Sequence, residues 1–241
     1  MNVAIVLAAG SGSRMKSDIP KQFMLLNGYE VIYYCLNVMQ KSNNIDEIIL
    51  VTKDEDIEYC QKEIVDRYLF GKVKEIISGG KERYDSVYNG LLCAKQRGAD
   101  IVMIHDAARP LISQRMISDS IEATMSYGAS TVAMPVKDTI KIVEENDDGI
   151  FGRTTPDRNL LYQIQTPQTF KLELLMDAYL KLKDSGNYNI TDDTMIVEQY
   201  ADVPVKIVPG AYENLKITTP EDIFIAENLL KKNIKKTEKN C

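Results

Sequence analysis

The sequence predicts an α/β fold with a mostly parallel central sheet flanked by helices, and three observations carry that prediction. Short β-branched runs alternate with longer segments of helical period, the signature of parallel strands joined by crossover helices. Several of the short runs are apolar at consecutive positions, as in strands covered on both faces. With 241 residues, 44% of them hydrophobic, the chain is long and apolar enough to bury a substantial core.

In chain order, strands are expected at 3–8, 47–52, 73–78, 101–105 and 130–136. Between them, Val87, Leu91 and Ala94 share one helical face, as do Ile117, Ile121 and Thr124 or Met125, and both stripes read as core. From 137 to about 161 the rhythm changes. Asp138-Thr139-Ile140-Lys141-Ile142-Val143 alternates polar and apolar, a turn-rich stretch follows at 144–149, and a second extended segment comes after it, so a protruding β-hairpin arm is expected. Helices resume near 171–185 and 192–200, a strand follows at 205–208, and the last helix starts with Thr219 as N-cap, Pro220 at the first helical position and Asp222 at the third. The simplest organisation is one Rossmann-like domain over 1–232 with the arm at 137–161, followed by a flexible basic tail at 233–241.

Composition excludes several chemistries. Lys and Arg number 29 against 35 Asp and Glu, a net charge of −6, so binding nucleic acid through a basic surface is not expected. An anionic ligand must be gathered by a local cationic site. Cys35, Cys60, Cys93 and Cys241 are widely spaced without a C-x-x-C pair, which suits a reducing compartment and argues against structural zinc. The single histidine, His105, cannot build a His-rich metal site. No apolar run reaches the roughly 18 to 20 residues of a membrane helix, and the start lacks the basic region of a signal peptide, so a cytoplasmic protein without membrane partners is expected.

The first strand ends in Leu7-Ala8-Ala9-Gly10-Ser11-Gly12-Ser13-Arg14-Met15, followed by Pro20-Lys21-Gln22. Small residues let backbone amides approach a phosphate chain, and Arg14 and Lys21 supply positive charge. The pattern is neither a Walker A loop nor G-x-G-x-x-G, whose third glycine position is Met15 here. Its place at the carboxyl end of a first parallel strand is where α/β sheets hold ligands. The fourth strand ends in Ile104-His105-Asp106-Ala107-Ala108-Arg109-Pro110. Asp106 either ligates the Mg²⁺ that accompanies a triphosphate or caps the next helix, whereas His105 reads as a hydrogen-bonded packing residue. Gly79 and Gly80, with Ser86 six residues later, allow close approach of a flat base, although Gly-Gly turns after strands are common.

Together these segments, with Asp138-Thr139-Ile140-Lys141, Thr166-Pro167-Gln168 and Asn214-Leu215-Lys216-Ile217-Thr218, closely resemble the 2-C-methyl-D-erythritol 4-phosphate cytidylyltransferases over residues 3 to about 228. The resemblance implies transfer of a cytidylyl group from CTP to a polyol phosphate, with release of pyrophosphate, in the non-mevalonate route to isoprenoid precursors. It implies Arg14 and Lys21 as the catalytic cations, Ala8, Ala9, Gly10 and Gly12 around the triphosphate, and Gly79, Gly80 and Ser86 at the cytosine. Asp106 would lie beside the ribose and Mg²⁺. Arg158 and Lys216 would grip the polyol phosphate, with Thr139 and Arg109 nearby. The arm would embrace a second subunit, making a homodimer in which Arg158 serves the partner's site.

Three positions depart from the family pattern: Glu213 stands where aspartate is frequent, Leu215 replaces an isoleucine, and Lys81 occupies a position often acidic. They bear on the substrate rather than on the nucleotide chemistry. The nearest rival reading is a ribitol-5-phosphate cytidylyltransferase making CDP-ribitol, whose strand-four motif carries valine where Ala108 stands. A non-catalytic CTP-sensing module is disfavoured by two cations of the kind that mainly benefit a transition state. A sugar nucleotidyltransferase using another base is the third alternative.

Overall fold

The computed structural model describes residues 1–10, 15, 17 and 19–239, with side chains described to 232. Its strands in chain order are β1 (Asn2–Leu7), β2 (Leu25–Leu26), β3 (Tyr29–Glu30), β4 (Glu47–Thr52), β5 (Val73–Ser78), β6 (Ile101–Asp106), β7 (Ala129–Pro135), β8 (Ile142–Asn146), β9 (Gly149–Thr154), β10 (Tyr162–Lys171) and β11 (Lys206–Pro209). The α-helices are α1 (Val31–Gln40), α2 (Ile57–Tyr59), α3 (Arg83–Gln96), α4 (Gln114–Tyr127), α5 (Leu172–Ser185), α6 (Asp193–Tyr200) and α7 (Pro220–Lys239). The backbone of α7 stays helical to Lys239, into the stretch expected as a tail, and residues 240–241 lie outside the described residues.

Seven strands form one sheet in the order β11-β7-β10-β6-β1-β4-β5. β1 pairs in parallel with both β4 and β6, β4 with β5, and β7 with β11, so the expected mostly parallel sheet is present. The exception is β10, antiparallel to β6 and β7, in a stretch to which the sequence pattern assigns nothing. Pro167 hides it, because a proline removes a ladder donor and argues against a central strand. Here the pairing register shifts between Ile164 and Gln168, so the proline falls in an irregularity rather than in the regular ladder.

The core follows from strand alternation. On one face, Ala4, Val6, Ile48 and Leu50 meet Ile32, Cys35, Leu36 and Met39 of α1. On the other, Val3, Ile5, Ile49 and Val51 meet Val87, Leu91 and Ala94 of α3, and Leu175, Met176 and Tyr179 of α5 complete that layer. Thr124 is the buried member of the α4 stripe, whereas Met125 is exposed. The Ser113 hydroxyl caps α4 by accepting from the Met116 N–H at 3.2 Å. Asp222 closes the start of α7 by accepting the Thr219 N–H at 2.8 Å, the reciprocal half of the expected capping box. Among the described residues β8 and β9 pair only with each other, and every residue of the two strands except half-buried Gly149 is exposed.

The chain leaves β1 toward β4 and β5 and returns to β6 on its other side. That reversal opens a crevice at the carboxyl ends of these strands, where open α/β sheets bind ligands.

Gly90 lets α3 lie flush on β1: a Cβ there would stand 2.6 Å from Ile5 Cγ2. Alanine improves helix propensity by up to about 1 kcal/mol, but overpacking costs about 1–3 kcal/mol. Gly90→Ala is therefore expected to lower stability in urea unfolding, and an unchanged or raised midpoint would show that Ile5 gives way.

Candidate active site

The crevice holds a cavity of about 620 Å³. Ala8, Ala9 and Gly10 enter it after β1, residues 52–55 from the end of β4, Ser78, Gly79 and Gly80 from the end of β5, and Asp106 to Ala108 from the end of β6. Lys21, Ser86 and Lys216 also line it, so most of the residues expected at a nucleotide converge here. Gly12 and Arg14 lie outside the described residues.

Local contacts shape each wall. Gln22, 1% exposed, donates from Nε2 to the Ala8 carbonyl at 2.6 Å, while the Ala8 N–H donates to Val51 O at 2.7 Å. The start of the glycine-rich loop is thereby tied to β4 and to the short turn carrying Lys21. Gln22 is a site residue that the Pro-Lys-Gln motif contained but that sequence reasoning did not single out. The two glycines are required by their own packing: a Cβ on Gly79 would lie 2.7 Å from Ser86 Oγ and 2.9 Å from Ala9 Cβ, and one on Gly80 would lie 2.2 Å from Asp85 Cβ. The Ser86 hydroxyl accepts the Gly80 N–H at 3.0 Å and donates to Glu82 O at 3.2 Å, holding this turn on α3. Glu82 and Asp85 form a capping box that starts α3 at Arg83.

Asp106 stands at the centre. Its Oδ2 accepts from Lys216 Nζ at 2.7 Å, and its Oδ1 lies 3.9 Å from Arg83 Nε. Burial alone would push this carboxyl up, but Arg83, Lys216 and Arg109 overcome that and hold it well below the usual carboxylate range. Arg83 in turn donates from Nη2 to Asp193 Oδ2 at 2.7 Å. Arg83, Asp106 and Lys216 also border a second cavity of about 310 Å³, which Arg109, Gln168, Thr191 and Asp192 help to line. The three charged residues are thus a wall common to both cavities. Lys216 is placed by its neighbours: Ile217 N–H donates to Ala108 O at 2.8 Å, and Asn214 Nδ2 donates to Thr166 O at 2.9 Å. The carbonyl of Asn214 accepts from Arg109 Nη1 at 2.8 Å.

His105 is fully buried, as expected of a packing residue. Its Nε2 lies 3.1 Å from the Arg109 carbonyl, which makes it the protonated nitrogen, and Nδ1 accepts from the Thr166 hydroxyl at 3.0 Å. The same hydroxyl accepts the Asp106 N–H at 3.1 Å, so β10 braces the end of β6.

Thr139 and Arg158 line neither cavity. Both are exposed at the arm, where Arg158 Nη1 donates to Lys137 O at 2.8 Å. Among the described residues no group of three or more Asp, Glu, His or Cys side chains could enclose a metal ion. A carboxylate on the cavity wall suits a hard cation that takes its remaining ligands from phosphate and water, and Asp106 lines this cavity together with Asp54, Glu55 and Glu82.

Two charged cavities sharing a wall suit an enzyme that joins a nucleotide to a second phosphate-bearing molecule, and on this sheet that class is the nucleotidyltransferases. Residues 2–232 match the family model of 2-C-methyl-D-erythritol 4-phosphate cytidylyltransferase (IspD). Relatives with that name from Lachnospira eligens and Clostridium botulinum are 49% and 47% identical, covering 96% and 94% of this chain and 100% and 98% of theirs. A solved 4-diphosphocytidyl-2C-methyl-D-erythritol synthase from Anaerococcus prevotii superposes with a TM-score of 0.81 at 34% identity over 95% of this chain and 96% of that one. The Thermus thermophilus cytidylyltransferase gives 0.73 at 26% identity over 94% and 98%. The chain belongs to the 2-C-methyl-D-erythritol 4-phosphate cytidylyltransferase family.

Burial pushes the His105 imidazole from 6.5 down to about 4, against the opposing pull of the Arg109 carbonyl and Asp106. The unfolded chain therefore takes up this proton first. Stability from neutral His105 is complete above about pH 6.5 and falls by about 3 kcal/mol as the pH drops toward 4. Asp106, held low, adds a loss of the same sign only below its ordinary value of 3.8. Urea unfolding between pH 7 and 4 is expected to show this slope, and His105→Gln to flatten it.

Proposed function

We propose that the chain transfers CMP from CTP to 2-C-methyl-D-erythritol 4-phosphate, and one observation carries the reading: a nucleotide-sized cavity and a smaller one meet at the Arg83–Asp106–Lys216 wall. An oxygen of the acceptor phosphate attacks the α-phosphorus in line. The bond from that phosphorus to the bridging oxygen breaks, and pyrophosphate leaves with its electron pair. The attacking phosphate is already ionised and needs no general base.

In this reading Ala8, Ala9, Gly10 and Gly12 present backbone amides to the triphosphate, and Arg14 and Lys21 stabilise the charge that builds on the α-phosphate. Gly79, Gly80 and Ser86 frame the cytosine. Asp106 holds the ribose and is this chain's carboxylate for Mg²⁺, which when bound neutralises phosphate charge. Lys216 and Arg109, which line the smaller cavity, take the acceptor phosphate. Thr139 and Arg158 are delivered to the partner's site by the arm of a homodimer. The exposed apolar residues Ile142, Val143, Ile150 and Phe151 support that assembly, because a lone two-stranded hairpin is barely stable in water. Cys35, Cys60 and Cys93 are free thiols, in keeping with the reducing cytoplasm.

Ribitol 5-phosphate is the acceptor to exclude. Purified protein with CTP, a divalent cation and each polyol phosphate separately is expected to release pyrophosphate faster with the methylerythritol phosphate, and the reverse order would overturn the choice. UTP, ATP and GTP in place of CTP test the base. Lys21→Ala is expected to lower kcat on the order of 10²-fold. Arg158→Ala is expected to raise KM for the polyol phosphate while leaving that for CTP within about twofold. Equal weakening of both would contradict the division of labour between wall and arm.

A further inference from the structure

Arg83, a member of the shared wall, is held by a carboxylate that lines neither cavity. Its strong partner is Asp193, at 2.7 Å and fully buried, while Asp106 lies farther off at 3.9 Å. Asp193 is itself doubly held. The Tyr179 hydroxyl, on a ring 1% exposed, donates to its Oδ1 at 2.6 Å, and Gln168 Oε1 accepts its backbone N–H at 3.1 Å. The next residue along α3 grips the same segment, since the rings of Tyr84 and Tyr188 stack at 5.0 Å. Asp193 is not the cap of α6: that is Asp192, whose side chain accepts from the Met195 N–H.

We propose that Asp193, locked by Tyr179, is a positioning residue that holds Arg83 away from Asp106 and so keeps Asp106 Oδ1 available to the nucleotide. Asp193 touches no substrate in this scheme and acts only through Arg83. The half-buried Arg83 guanidinium without this counterion has one other carboxylate within 4 Å among the described residues, Asp106. It closes on Oδ1 while Lys216 occupies Oδ2, and the carboxylate is then sequestered from the ligand. The inference deepens the assignment of the larger cavity to CTP and rests on it.

The test measures CTP binding by titration calorimetry, together with kcat, both KM values and thermal midpoints. The variants are Asp193→Asn, Arg83→Gln, the double variant and Tyr179→Phe. Asp193→Asn is expected to weaken CTP binding by about tenfold, whereas the double variant, which lacks the guanidinium that would close on Oδ1, is expected to bind CTP as Arg83→Gln does, because residues acting through one another are not additive. Tyr179→Phe, which keeps the ring and removes only the hydroxyl, is expected to weaken binding by about threefold. It carries the test if Asp193→Asn does not fold. An additive double variant would overturn the proposal. So would Asp193→Asn and Tyr179→Phe proteins that bind CTP like the parent and lose only thermal stability, the mark of a purely structural pair. A parent that binds no CTP at all would remove the cavity assignment itself, and this inference with it.

Discussion

The site depends on a buried carboxylate that cannot exist alone. Asp106 ends a strand whose six residues are all buried, and a charge removed from water there needs compensation from neighbours. Lys216 provides it at 2.7 Å and Arg83 at longer range. These partners come from the start of a helix and from a loop near the carboxyl terminus, so satisfying one charge pulls three distant parts of the chain to one point. The same cations then face outward into two cavities.

Around that point the backbone is arranged by close approach rather than by side-chain bulk. Gly79 and Gly80 leave no room for a Cβ because Ser86, Ala9 and Asp85 already occupy the space. The glycines and the Ser86 hydroxyl thus shape a wall of the cavity by packing onto α3. Gln22 does the same for the first loop through the Ala8 carbonyl. Preorganised walls of this kind matter for phosphoryl transfer, where most of the catalytic effect is positioning and charge stabilisation.

The hairpin follows a different logic. β8 and β9 carry their apolar side chains in the open, whereas apolar residues of the main sheet alternate into one of two covered faces. That a hairpin stands here was legible in the sequence, but its bounds were not: the alternation at 138–143 reaches only the start of β8, and residues 144–146, expected in the turn, continue that strand.

Local pattern was enough for the parallel strands, the α3 and α4 stripes and the start of α7, because each is written in neighbouring residues. β10 was not legible: Pro167 contradicts a central strand until the shift of register around it is seen. Arg83 and Gln22 were not singled out either, since nothing beside them in the chain marks their role. Arg83 and Asp193 are 110 positions apart, as are Asp106 and Lys216, and no spacing rule connects such pairs. The sequence alone therefore determined which chemistry is present. Tertiary structure decided which charges face one another, because only the folded chain brings residues that far apart to within hydrogen-bonding distance.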